Sequence, residues 1–205
     1  MEDPTVTAAA PRRTPALAVS IGAGAATVTG GVLAKAGLLD WERPLFDLLN
    51  RRVPDEIAPS VWLPMQFGAG ATPLVVGAVM WRSGHKRSAE GVVASGVAAW
   101  LAAKAVKRAT GRMRPADHLV DVRHRVGTAR HGLGYPSGHA AVAAAIATSL
   151  GPDVGRLTRV AAWTTTALVA WSRIYVGAHL PLDVLGGITL GISLGTLYRG
   201  LRPVP

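Results

Sequence analysis

A chain of 205 residues that is 49% hydrophobic and only 17% charged, with positive mean hydropathy, suits one domain and is too apolar for an ordinary soluble protein. The absence of cysteine excludes disulfides, thiolate metal sites and a cysteine nucleophile. The formal charge of +10 fits nucleic acid, anionic lipid or a phosphorylated substrate, and the location of the basic residues decides among them.

In chain order, residues 1–14 read as a flexible tail, followed by a first apolar block, Pro15–Leu38. The preceding "PRR" and the small residues within the block also fit a secretory signal, but the apolar run exceeds the roughly 7–15 residues of a signal core, so the block is expected to be retained. Next, "DWERPLFDLLNRRVPDEIAPS" mixes charge with "LFDLL" and predicts a short interfacial helix and loop. Val61–Trp81 and Gly91–Val106 are the second and third blocks, and Arg108–Tyr135 is the longest polar connection, rich in Arg and His. Gly138–Leu150, Leu157–Trp171 and Pro181–Tyr198 complete six blocks near bilayer-spanning length. They predict an all-α polytopic membrane protein with six transmembrane helices in a single domain over 1–205. In the last block Gly187, Gly191 and Gly195 recur every fourth position, which predicts close helix–helix packing.

Six spans put both termini on one side. That side carries Arg12, Arg13, Arg82, Lys86, Arg87, Arg156, Arg159, Arg199 and Arg202 in short loops or tails, the pattern of a cytoplasmic face. The opposite side nonetheless holds Lys107, Arg108, Arg112, Arg114, Arg123, Arg125, Arg130 and Arg173, an excess that topology leaves unexplained and an anion-binding site accounts for. A span count off by one inverts this assignment. Basic residues on both faces of a membrane protein argue against nucleic acid as the partner.

Three charged junctions fall on that opposite face: "KRATGRMRP" (Lys107 to Pro115), "YPSGH" (Tyr135 to His139) and "SRIYVGAHLPLD" (Ser172 to Asp183). Phosphoryl transfer needs cations and fixed donors around the equatorial oxygens, with nucleophile and leaving group in line. Lys107 and Arg114 are two helical turns apart, and Gly111 and Pro115 let the helix loosen so that Arg114 curls over the mouth. Arg108 and Arg112 lie off that face and are expected to meet only lipid headgroups. Arg173 offers a planar fork for two phosphate oxygens. Ser137 and Gly138 stand at a helix start, where unpaired N–H groups attract an anion. His179 and Asp183, four apart, form a nucleophile and its orienting carboxylate, and His139 is the proton donor to the leaving group. His118, His124 and His131 read as loop histidines without a role.

These segments resemble the signature of the phosphatidic acid phosphatase type 2 superfamily. Its Lys–six residues–Arg-Pro, Pro-Ser-Gly-His and Ser-Arg–five residues–His–three residues–Asp motifs are all met, in order, within a motif-bearing core of about 91–198. The resemblance implies an antiparallel helical bundle with its site at the outer face of the plasma membrane. It also implies a phosphohistidine on His179 supported by Asp183, His139 as general acid, and phosphate held by Lys107, Arg114, Ser137, Gly138 and Arg173. No cofactor and no metal are expected.

The leading expectation is a lipid phosphatase acting on phosphatidate, phosphatidylglycerol phosphate or a polyprenyl (pyro)phosphate, with membrane lipids as its surroundings. The short fourth block, roughly 20 Å as a helix, would recess His139 to headgroup depth and admit such a substrate sideways. Alternatives are a phosphatase of a soluble phosphomonoester, a phosphotransferase, and a non-catalytic lipid-binding protein. Intact His139, His179 and Asp183 argue against the last. Oligomeric state is not legible.

Overall fold

The computed structural model describes residues 13–37 and 39–201, and all its regular elements are helical, apart from one isolated bridge between Met113 and Leu133. Residues 1–12 of the expected tail, with Arg12, and Arg202 lie outside the described residues; α1 (Arg13–Lys35) begins inside the predicted tail. There follow α2 (Glu42–Phe46), a π-helical turn (Asp47–Arg51), a 3-10 turn (Asp55–Ile57), α3 (Ala58–Gln66), α4 (Thr72–Arg82), α5 (Lys86–Thr110), α6 (Gly138–Ser149), α7 (Arg156–Tyr175) and α8 (Pro181–Leu201).

Five of the six apolar blocks fold as one helix each. The second does not: Val61–Trp81 is divided into α3 and α4 by a break at Phe67–Ala71. The break follows from close packing at two glycines. A Cβ on Gly68 would stand 2.5 Å from the carbonyl oxygen of His139, and one on Gly70 would stand 2.5 Å from the indole nitrogen of Trp100. Pro73 then suits the first turn of α4, where its missing N–H costs nothing. The acidic stretch before α3 is also more than interfacial. Glu42, Phe46 and Asn50 are buried, and Phe46 joins a core cluster with Leu119, Ile174, Leu180 and Val184.

Three helices among the described residues are long and apolar enough to cross a membrane: Pro15–Lys35, Lys86–Thr110 and Pro181–Leu201. The six spans expected from the sequence are therefore not all of spanning character by length and composition. With 12 residues, α6 is shorter than a bilayer core, and α4 has 11.

Helix directions follow from paired contacts. On α8, a Cβ at Gly187 would meet Ser137 and Ala140, one at Gly191 would meet Ala141 and Ala144, and one at Gly195 would meet Thr148. Thus α6 and α8 run parallel in tight contact, and the glycine stripe packs as predicted. Ser20 and Ser193 exchange side chain-to-backbone hydrogen bonds of 2.9 Å, and Thr27 meets Thr189 at 2.8 Å, so α1 runs antiparallel to α8. Ser95 and Gly91 on α5 face Ala145 and Ser149 on α6, an antiparallel pair. The N-termini of α6 and α8 and the C-termini of α5 and α7 thereby meet at one end. The opposite end gathers Arg156, Arg159 and Arg199 around Thr148, and Asp153 accepts from Ser88.

Candidate active site

Local backbone chemistry explains the spacing of each motif. At the end of α5, Gly111 takes a left-handed conformation (φ +69°) and its N–H donates to the Lys107 carbonyl at 2.9 Å. The chain leaves the helix there, so Lys107 and Arg114 do not share a continuous helix face; the loosening expected at Gly111 is complete. Lys107 Nζ donates to the carbonyls of Leu133 (3.0 Å) and Gly134 (2.6 Å), which leaves one of its three protons for a ligand. The Arg114 N–H bonds Gly132 O at 3.0 Å, and its guanidinium reaches Ala129 O at 2.8 Å while Nε stays buried with no partner among the described residues.

Ser137 is the N-cap of α6, accepting from the Ala140 N–H at 3.5 Å. Its own N–H is not free, contrary to expectation, since it donates to Asp183 O at 2.7 Å. The first-turn N–H groups at the mouth are those of Gly138 and His139, which helix geometry leaves without intrahelical acceptors. Tyr135, just before the cap, is fully buried and donates to Thr27 O at 2.5 Å; burial pushes its hydroxyl up to about 12, so it remains a donor.

The third motif is a Schellman turn followed by a helix start. The Gly177 N–H bonds Ile174 O (2.9 Å) and the Ala178 N–H bonds Arg173 O (3.1 Å), with Gly177 left-handed at φ +78°. The His179 N–H also reaches Arg173 O, at 3.1 Å. The five residues between Arg173 and His179 are thus the length of one helix C-cap, which folds the histidine back over the arginine. Asp183, on the first turn of α8, caps that helix by accepting the Leu180 N–H on Oδ2 at 3.0 Å. The same oxygen stands 3.4 Å from His179 Nδ1, long for a hydrogen bond and within a small side-chain movement of one.

Five segments therefore converge. The charges of Lys107, Arg114 and Arg173, together with His139, act on the fully enclosed His179. Burial first, and then these cations, hold the His179 imidazole well below the ordinary histidine range, so it is neutral at physiological pH. Arg173 is buried, with Nη1 2.8 Å from Met65 Sδ and Nε without a partner among the described residues. His139 is half-buried on α6, with Gly68 against its backbone. All eight residues singled out from the sequence lie at this one end of the helices.

Two expectations about the basic loop fail. Arg112 is not at the lipid surface: it is 3% exposed and lies between Glu42 and Asp183, each 0% exposed. Its Nη1 is 3.1 Å from Asp183 Oδ1 and 3.2 Å from Glu42 Oε1, while Nη2 donates to Glu42 Oε2 and to Gly37 O at 2.9 Å. Arg125 is not an anion ligand either. It bonds the carbonyls of Tyr175, Asn50 and Val53 and the Asp55 carboxylate, and lies 3.9 Å over the Tyr175 ring, tying the end of α7 to the segment after α2. His131 pairs with Asp117 at 2.9 Å. The site residues missed in the sequence are Glu42 and Arg112. The only local signal was the i, i+4, i+8 spacing of Glu42, Phe46 and Asn50, a buried face carrying an acid.

A family model described as the PAP2 superfamily matches residues 89–203. That is more than half of the chain, and the protein belongs to this superfamily. Over 57 residues it is 40% identical to an undecaprenyl-diphosphatase of Sulfolobus acidocaldarius, a match covering 28% of either chain, so it spans about a quarter of that relative's length. The fold is similar to that of LpxE from Aquifex aeolicus (TM-score 0.69, 23% identity, 78% of this chain and 96% of that one). It is also similar to a transmembrane PAP2-type phosphatidylglycerolphosphate phosphatase from Bacillus subtilis (TM-score 0.67, 22% identity, 87% and 94%). Glu42 lies outside the matched family region.

Proposed function

We propose that the protein is an integral-membrane phosphatase that hydrolyses a lipid phosphate or pyrophosphate without a metal, through a phosphohistidine on His179. The observation that carries this reading is the convergence of Lys107, Arg114 and Arg173 on a neutral, enclosed imidazole whose Nδ1 faces a carboxylate. Asp183 holds Nδ1–H, leaving Nε2 to attack phosphorus. The three cations and the Gly138 and His139 N–H groups take up the charge of the equatorial oxygens, with the Ser137 hydroxyl as a further donor. A P–N bond forms as the P–O bond to the lipid breaks, and His139 gives the departing oxygen its proton. Water then attacks the phosphohistidine, His139 takes a proton from it, and inorganic phosphate leaves.

A lipid substrate is favoured by an apolar cavity of about 370 Å³ between α4, α6 and α7. Its lining includes Ala143, Ile146 and Leu150, which continue the helical face of His139 down α6, and Phe67 beside Gly68. A tail can follow this groove while the phosphate sits at the mouth. The named relatives act on, or are named for, undecaprenyl diphosphate and phosphatidylglycerolphosphate, and we place the substrate of this chain in the same lipid (pyro)phosphate class. In this reading one domain contains six membrane-crossing segments in an antiparallel bundle, both termini are cytoplasmic and the site opens to the outside.

The test is phosphate release by the purified protein in detergent from phosphatidate, phosphatidylglycerol phosphate, polyprenyl phosphate and pyrophosphate, and a soluble aryl phosphate, each with chelator and beside His179→Ala. Chelator-resistant release from one lipid class, abolished in the variant, is expected. Release confined to the aryl phosphate would favour a soluble phosphomonoester, and transfer to an added alcohol in place of water would favour a phosphotransferase.

A further inference from the structure

The Arg112 guanidinium is enclosed by two carboxylates, both buried, that come from opposite ends of the sequence. An arginine facing a lone carboxylate settles into a two-pronged arrangement that takes both oxygens. Here that arrangement is given to Glu42: Nη1 and Nη2 meet Oε1 and Oε2, and only Nη1 is shared with Asp183, on Oδ1. Asp183 Oδ2 is thereby left to face His179 Nδ1 and the Leu180 N–H. Glu42 is itself held in register by the N–H groups of Leu182 (3.0 Å) and Leu39 (3.1 Å), so it approaches Arg112 from a fixed direction. On the remaining side, Gly134 lies against the carboxylate so closely that a Cβ there would stand 2.8 Å from Asp183 Oδ2.

We propose that Glu42 is a positioning residue for the reaction: by occupying the fork of Arg112 it prevents the guanidinium from capturing both oxygens of Asp183, and so reserves Oδ2 for His179. One guanidinium against two carboxylates also leaves a net negative charge behind the imidazole, where a single Arg–Asp pair would be neutral. The inference rests on the reading of His179 as nucleophile, but its structural content, the tautomer of His179, can be measured without turnover.

The experiment is nitrogen NMR of the full-length protein in detergent with ¹⁵N-labelled histidine, His179 being assigned by difference with His179→Gln. Wild type is expected to carry its proton on Nδ1, with Nε2 bare. In Glu42→Gln the His179 signals should move to a mixture with the Nε2–H form, and kcat should fall at least about tenfold with KM within about twofold, the split expected when geometry rather than binding is lost. The double variant Glu42→Gln, Arg112→Met removes the competing guanidinium and should recover the Nδ1–H form. It also covers the case in which the single variant, with a buried arginine half-paired, does not fold. An unchanged tautomer in folded Glu42→Gln, or a double variant that fails to recover it, overturns the proposal, even where thermal stability has dropped. A wild-type protein that releases no phosphate from any lipid rejects the functional reading and leaves the tautomer result to judge Glu42 by itself.

Discussion

The buried charges of Glu42, Arg112 and Asp183 hold one another, and removing one member exposes the rest. Arg112→Ala leaves Glu42 and Asp183 facing each other in a buried space, and is expected to destabilise the protein by about 3–5 kcal/mol. A thermal melt in detergent checks this, and a melt equal to wild type would show the pair to be solvated. Asp183→Asn keeps the shape but turns a donor toward His179. It should lower kcat by roughly 10²–10⁴-fold while the protein still folds. The pH profile follows from the burial of His179. Its folded value lies well below 6.5, so the imidazole stays unprotonated as pH falls through 6.5, and with His179 as the proposed nucleophile the acid limb of kcat/KM belongs below that value. The sign of linkage agrees: an unfolded histidine binds a proton near pH 6.5 that the folded one refuses, so stability contributed by this group is complete above 6.5 and declines as pH drops below it. An acid limb above pH 6.5 would mean that His179 is wetter than its enclosure indicates.

At the level of elements, two glycines carry distinct duties. Gly177 closes the Schellman turn with positive φ, and a Cβ there would also stand 2.6 Å from Arg123 O. Gly177→Ala should cost about 1–2 kcal/mol for the left-handed backbone alone and lose more activity than stability, because the turn sets His179 over Arg173. Gly68 acts across the chain: within the break between α3 and α4 its backbone lies directly on His139. The groove beneath His139 gives a separate handle. Ile146→Trp would fill part of the cavity without touching the proposed phosphate ligands, so it should raise KM for a long-chain lipid phosphate several-fold and leave hydrolysis of a soluble aryl phosphate unchanged. Equal effects on both substrates would place the tail elsewhere.

For the whole molecule, the arrangement of helix ends makes orientation testable. The chain has no cysteine, so single cysteines report without background. Val120, fully exposed in the loop beside the site, and exposed Ser83, between α4 and α5, lie at opposite ends of the helices. In intact cells a membrane-impermeant maleimide should label Val120→Cys directly and Ser83→Cys only after permeabilisation. The reverse pattern would turn the site toward the cytoplasm.

Local signals in the sequence determined the apolar blocks, the helix start at Ser137, the loosening at Gly111 and the three motif spacings, because a cap or a C-terminal turn is completed by hydrogen bonds within about six residues. They set the expected site residues at or beside helix ends, and the long-range contacts between helices bring those ends together. Tertiary structure alone decided what Arg112 faces, why the second block breaks, and that an acid in a supposed interfacial helix belongs beside Asp183. Glu42 and Arg112 are 70 residues apart, and Glu42 and Leu182 are 140 apart. No spacing rule links such pairs. They meet because a buried charge must find its counter-charge wherever the packed helices bring one within reach.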